Sequence, residues 1–180
     1  MCRYGQITYK DHYACFACRK TFKRRVLRDI DRNKVKADST PATCPECQGL
    51  MADMGKDFKS PPKDDTKAWR HLRDLYSVGI TYHSCGCSGP GYVPADKPAL
   101  ITYLEIKLAD YVAEQRFWLT RCEPQTKREA DADRRANWSR FRTLPKEQQE
   151  QKSVGNSEAV AFWKERLETL TAQLAGLKAA

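Results

Sequence analysis

The sequence predicts a mixed α+β chain in two parts: a cysteine-rich region of short strands with one packed helix over residues 1–96, and an α-helical extension over 97–180. Three observations predict it. Seven of the eight cysteines fall before residue 88, and four of them form two CxxC pairs. Most of the glycine and proline lies in the same part. From residue 97 onward apolar residues recur at three- and four-residue steps, the period of a helix with one buried side.

The stretches "HYACFACRKTFKR" and "ATCPECQGLM" place Cys15, Cys18, Cys44 and Cys47 as two CxxC pairs separated by 25 residues. Two intervening residues let the chain fold back so that both sulfurs approach one ion at about 2.3 Å. Two such knuckles close a tetrahedral shell and leave no position for water or substrate, so the site is expected to be structural. Zinc suits it better than iron in a small chain without redox signatures. Two unconnected pairs of free thiols are the competing reading, and a redox CxxC is another, although no βαβ pattern surrounds either pair. Between the knuckles, "TFKRRVLRDI" and "KVKADST" read as a hairpin turning at "DRN".

A helix is expected within "SPPKDDTKAWRHLRDLYSVG". Asp64 or Asp65 can cap it, and Gly79 stands where a terminating glycine belongs. Ala68, Trp69, Leu72, Leu75 and Tyr76 form its apolar stripe, with His71 on the flank. "ITYHS" reads as a strand, and "GPGY" as a turn with Pro90 and Gly91 in its central positions. Later helices are expected near 97–119, 126–142 and 157–178, with 143–157 as a polar linker. The last helix repeats Val160, Trp163, Leu167, Leu170, Leu174 and Leu177 at heptad spacing. That stripe docks on the chain's own core or, alternatively, on a protein partner or second copy.

The pairing "ACFACRKTFK" with "TCPECQGLM" resembles zinc-ribbon proteins, in which two knuckles at hairpin ends pinch a zinc ion. The continuation through "YHSCGCSGPGY" is similar to small bacterial zinc-ribbon proteins of unassigned function. The resemblance spans residues 1–96 and implies an N-terminal zinc ribbon. It does not reach the helical extension.

"TYHSCGCSGPGYVP" adds two further cysteines. His83, Cys85 and Cys87 share one face of an extended strand, but two residues of strand advance about 6.6 Å. Sulfurs sharing a zinc sit under about 4 Å apart, so the chain must curl at Gly86. Cys85 and Cys87 with His83 or Cys2 then make a second metal site, with His12 also available. They read alternatively as small buried residues, as a reactive CxC thiol pair, or as replacements for a CxxC cysteine. Cys122 is expected to be a lone buried or inert thiol.

A net charge of +9 favours a polyanionic partner, nucleic acid first. Arg19, Lys20, Lys23, Arg24, Arg25 and Arg28 lie within the inter-knuckle stretch, and on a strand Lys20, Arg24 and Arg28 form one row. Tyr13, Phe16 and Phe22 read as core residues before stacking platforms. No P-loop, HExxH, GxSxG or GxGxxG signature is present, so no enzyme activity is expected. The start lacks an apolar signal segment and no stretch is long enough to span a membrane, which points to the cytoplasm and reduced thiols.

Overall fold

The computed structural model describes residues 10–25, 42–84, 89–151 and 154–179, with Arg24 and Arg25 described by backbone alone. It is a mixed α+β structure with one small antiparallel sheet. The chain divides into two compact units, residues 1–100 and 101–180.

In the first unit, β1 (Lys10–Cys15) and β2 (Lys20–Arg25) form an antiparallel hairpin whose turn is the first CxxC knuckle. The strand expected from "TFKRR" therefore exists; the stretch beyond "DRN" lies outside the described residues, and among those described the strand pairs with "KDHYAC" upstream. Register explains why: closing the Cys15–Cys18 turn brings Cys15 opposite Lys20 and continues to Lys10 opposite Arg25. The segment 26–41, including Arg28, lies outside the described residues. On the other side of β1 lies β3 (Ala52–Gly55), so the sheet order is β2-β1-β3. The register slips between His12 and Tyr13, which face Gly55 and Asp53, leaving Met54 as a bulge.

Gly55 shows what holds this edge. Its φ is +85°, and a Cβ there would come within 2.5 Å of the His83 amide nitrogen. Only glycine lets the two backbones meet so closely. The expected strand "ITYHS" is accordingly an extended segment without a full ladder: Tyr82 N–H donates to Met54 O at 2.8 Å, and Asp57 N–H donates to Tyr82 O at 3.2 Å. The positive φ at Gly91, +80°, is what the third position of the expected type II turn requires.

Helix α1 (Thr66–Ser77) starts where the Asp65 carboxylate accepts from Ala68 N–H at 2.9 Å. It ends in a Schellman motif: Ile80 N–H reaches Leu75 O at 2.9 Å and Gly79 N–H reaches Tyr76 O at 3.0 Å, with Gly79 at φ +79°. Trp69, Leu72 and Leu75 are buried, whereas Tyr76 is 40% exposed. Together with Ala14, Ala52, Met54 and Phe58 they make up a thin core.

Helix α2 (Lys97–Thr120) leads into the second unit. The single helix expected over 126–142 is interrupted. A capping box of Thr126 and Glu129 opens α3 (Lys127–Ala136), Asn137 breaks it, and the four-residue α4 (Trp138–Phe141) follows. The polar stretch 143–157 is no linker either. Leu144 and Val154 are buried in it, and a short α5 (Lys146–Gln149) begins after Pro145. Both apolar residues pack with Trp118, Phe141, Ala159 and Trp163 into one core. The long α6 (Asn156–Ala179) closes the unit.

Arg121 ties this unit together from an almost fully buried position. Its guanidinium donates to the Asp133 carboxylate at 2.7 and 3.0 Å, to Val154 O at 3.1 Å and to Asn156 Oδ1 at 2.8 Å. It also lies 5.0 Å from the centre of the Trp118 ring. Three segments far apart in sequence thus meet at one side chain.

Candidate metal centre

Each CxxC forms the same local structure. Cys15 begins a turn and pairs with Lys20, five residues on, across the hairpin. Cys44 likewise donates its N–H to Gly49 O, five residues on, at 2.8 Å, and an isolated bridge joins Thr43 to Leu50. The residue after each second cysteine is left-handed: Arg19 has φ +51° and Gln48 φ +58°. This conformation turns the chain back so that both thiols of a knuckle point the same way.

The four sulfurs of Cys15, Cys18, Cys44 and Cys47 all lie within 4.8 Å of one another. Cys15 Sγ and Cys47 Sγ are 3.6 Å apart, and Cys18 Sγ and Cys44 Sγ are 3.9 Å apart. A tetrahedral ion with bonds of about 2.3 Å needs sulfur–sulfur edges of about 3.8 Å. The donor set therefore fits one metal ion, and no disulfide competes for these cysteines.

Backbone amides prepare the sulfurs for charge. Cys18 N–H donates to Cys15 Sγ at 3.4 Å. The Cys47 and Glu46 amides do the same for Cys44, and the first of these chiefly lowers its thiol to about 7, against the effect of burial. Cys18 is pushed up to about 12, first by its hydrogen bond with the Cys47 thiol, and burial raises Cys15. Four thiolates so close repel one another without a cation between them, so metal entry must displace protons. An exposed ion pair, Lys20 with Glu46, joins the two knuckles beside the site.

The other described candidate residues separate from this cluster. His83 is exposed, with Nε2 3.4 Å from Asp53 Oδ1, while Cys2, Cys85 and Cys87 lie outside the described residues. His12 meets Phe58 edge-on at 6.3 Å. His71 bonds Pro94 O through Nε2 at 2.9 Å, the packing role its flank position implies. Cys122 is exposed. Lys20 and Arg24 share one face of β2, where Lys20 is engaged by Glu46 and Arg24 is the register partner of buried Asp11, while Arg28 is outside the described residues. The register instead sets Lys10 opposite Arg25 and His12 opposite Lys23 on one face of the hairpin. Arg19 is half-buried.

On α6, Trp163, Leu170, Leu174 and Leu177 are buried within the chain, and Val160 and Leu167 are half-buried. A partner docking on that stripe would have to displace what now covers it. No described helix is long and apolar enough to cross a membrane.

Comparison with protein-family models, with curated proteins and with solved structures finds no match. The site is therefore read from its own chemistry. Sequence reasoning found the four sulfurs and missed the hub at Arg121, whose only signal is an arginine immediately after a long apolar helix.

Proposed function

We propose that the chain is a zinc-ribbon protein that binds nucleic acid, DNA or structured RNA, without catalysing a reaction. The observation that carries this reading is the convergence of four thiols from two like knuckles on a hairpin that also bears cations. Zinc supplies four strong bonds to thiolate and no redox chemistry, which suits a closed shell without an open position. Cys15, Cys18, Cys44 and Cys47 would hold it, and the knuckle amides would offset the thiolate charge.

The charge distribution supports the partner. Residues 1–100 carry 18 Lys and Arg against 11 Asp and Glu, a balance of +7, whereas residues 101–180 carry 14 against 12, a balance of +2. Lys10, Lys23 and Arg25 occupy one face of the metal-pinned hairpin. A rigid element holding cations at fixed spacing loses little entropy when it lies along phosphates and gains from counterion release.

Metal analysis of the fully loaded protein tests the zinc, and its stoichiometry tells whether His83, Cys85, Cys87 and Cys2 hold a second ion. Binding to single- and double-stranded DNA and RNA over a salt series tests the partner. Each lost duplex phosphate contact lowers the log–log salt slope by about 0.9. Lys23→Glu with Arg25→Glu should therefore flatten it by nearly two. Absence of binding at low salt, or binding indifferent to salt, would refute the proposal.

A further inference from the structure

Trp138 is the one described tryptophan that faces water. It is 57% exposed, whereas Trp69, Trp118 and Trp163 are buried. A bare indole is unusual because so large an apolar surface normally finds cover. The short α4 that carries it is anchored on both sides. Three residues on, Phe141 is sunk in the core, with the Arg134 and Arg121 guanidinium groups 5.0 and 5.4 Å from its ring centre. One residue before, Asn137 Nδ2 donates to the Asp133 carboxylate at 2.8 Å.

The charges around it are sorted by the fold. Residues 126–142 contain Lys127, Arg128, Arg134, Arg135, Arg140 and Arg142 against Glu129, Asp131 and Asp133. Asp133 is taken by Arg121, and Glu129 caps α3. Arg134 donates to the carbonyls of Gln149 and Gln151, and Arg140 pairs with Glu114 at 2.8 Å. Once these are set aside, Lys127, Arg128, Arg135 and Arg142 remain, all exposed and unpaired with any carboxylate among the described residues, against Asp131. Arg128 and Arg135 are seven residues apart and share a side of α3. The Arg142 guanidinium lies 5.4 Å from the centre of the Trp138 ring.

We propose that this surface is a single-strand site, in which an unpaired nucleobase stacks on the Trp138 indole while Arg128, Arg135 and Arg142 contact the flanking phosphates. A base inside a duplex already has neighbours on both faces and cannot offer one, so the site selects unpaired nucleic acid. The inference takes its ligand class from the proposed function but rests on a different surface. It adds a preference for single strands that the hairpin cations, which touch only phosphate, do not supply.

Fluorescence anisotropy with the zinc-loaded full chain tests it, using a labelled 20-nucleotide oligo(dT) and a labelled 20-base-pair duplex. Stacking on one base corresponds to about five- to a hundredfold in affinity. Trp138→Ala should weaken oligo(dT) binding by at least about fivefold and change duplex binding by less than about twofold, while Trp138→Phe keeps most of the affinity. Oligo(dT) should quench tryptophan emission in the wild type and not in Trp138→Phe. Equal losses on both probes, or no loss on either, overturn the proposal, as does a wild-type chain that binds neither probe, the result expected if the surface serves a protein. If Lys23→Glu/Arg25→Glu weakens binding and Trp138→Ala does not, the single-strand site falls and the hairpin reading stands. The converse outcome sinks the hairpin and keeps Trp138.

Discussion

Removing the metal should unfold the first unit and spare the second. The large apolar side chains buried in the first unit are Met54, Phe58, Trp69, Leu72, Leu75 and Leu100. At about 1.5–3 kcal/mol each they contribute roughly 9–18 kcal/mol. A structural zinc bound to four thiolates contributes about 10–16 kcal/mol near neutral pH. An ion held this way would therefore match these apolar side chains together, and losing it would remove about as much as the 5–15 kcal/mol net stability of an ordinary domain. Little of that energy is spent on rearrangement, because the sulfur pairs at 3.6 and 3.9 Å already sit at tetrahedral spacing. Indole N–H resonances in a nitrogen–proton correlation spectrum give the readout, since Trp69 is the one tryptophan of residues 1–100 and donates to Pro62 O at 3.0 Å. On treatment with a strong chelator, or with Cys44→Ser, the Trp69 signal should move to the position of an unfolded chain. Those of Trp118 and Trp163, in a core of their own, should stay. Cys122→Ser should change nothing. A chelated protein free of metal with all four indole signals in place would refute the reasoning.

Gly55→Ala should destabilise the first unit by at least about 2 kcal/mol, because the methyl group meets backbone rather than a movable side chain; hydrogen exchange at the Tyr82 amide would report it first. Arg121→Met should cost about 3–5 kcal/mol by leaving the Asp133 carboxylate without its partner. The double change Arg121→Met/Asp133→Leu should cost less, and urea melts followed through Trp118 and Trp163 compare them. Glu129 accepts from the Gln125 and Thr126 amides, which hold its carboxyl below the usual 4.5. A depressed folded value stabilises above pH 4.5 and loses that contribution as pH falls through it. The stability difference between the wild type and Glu129→Gln should therefore be present at pH 6 and shrink as the pH falls below 4.5.

The sequence made some of this legible and hid the rest for identifiable reasons. CxxC spacing encodes a local geometry, so the four thiols and both turns were readable. Asp65 and Gly79 mark the limits of α1 through backbone requirements that only those residue types meet well. The pairing of β2 with β1 was not readable, because strand pairing is set by contacts between segments, although a CxxC turn only four residues long places the two strands side by side. Leu144 and Val154 were missed because each is a single apolar residue in a polar stretch, without a period to betray its burial. Asn137 broke a pattern that looked continuously helical, since its side chain prefers the Asp133 carbonyl and carboxylate to solvent.

The four sulfurs are unequally sheltered: Cys15 and Cys44 are buried, Cys18 is partly covered, and Cys47 is open to solvent. Peroxide or an alkylating agent approaching from water meets Cys47 first. Capping that one atom would remove a quarter of the bonds to an ion held there, and the three inner sulfurs could not retain it alone with comparable strength. The susceptibility of the whole cluster to chemical damage is thus set at its most accessible corner.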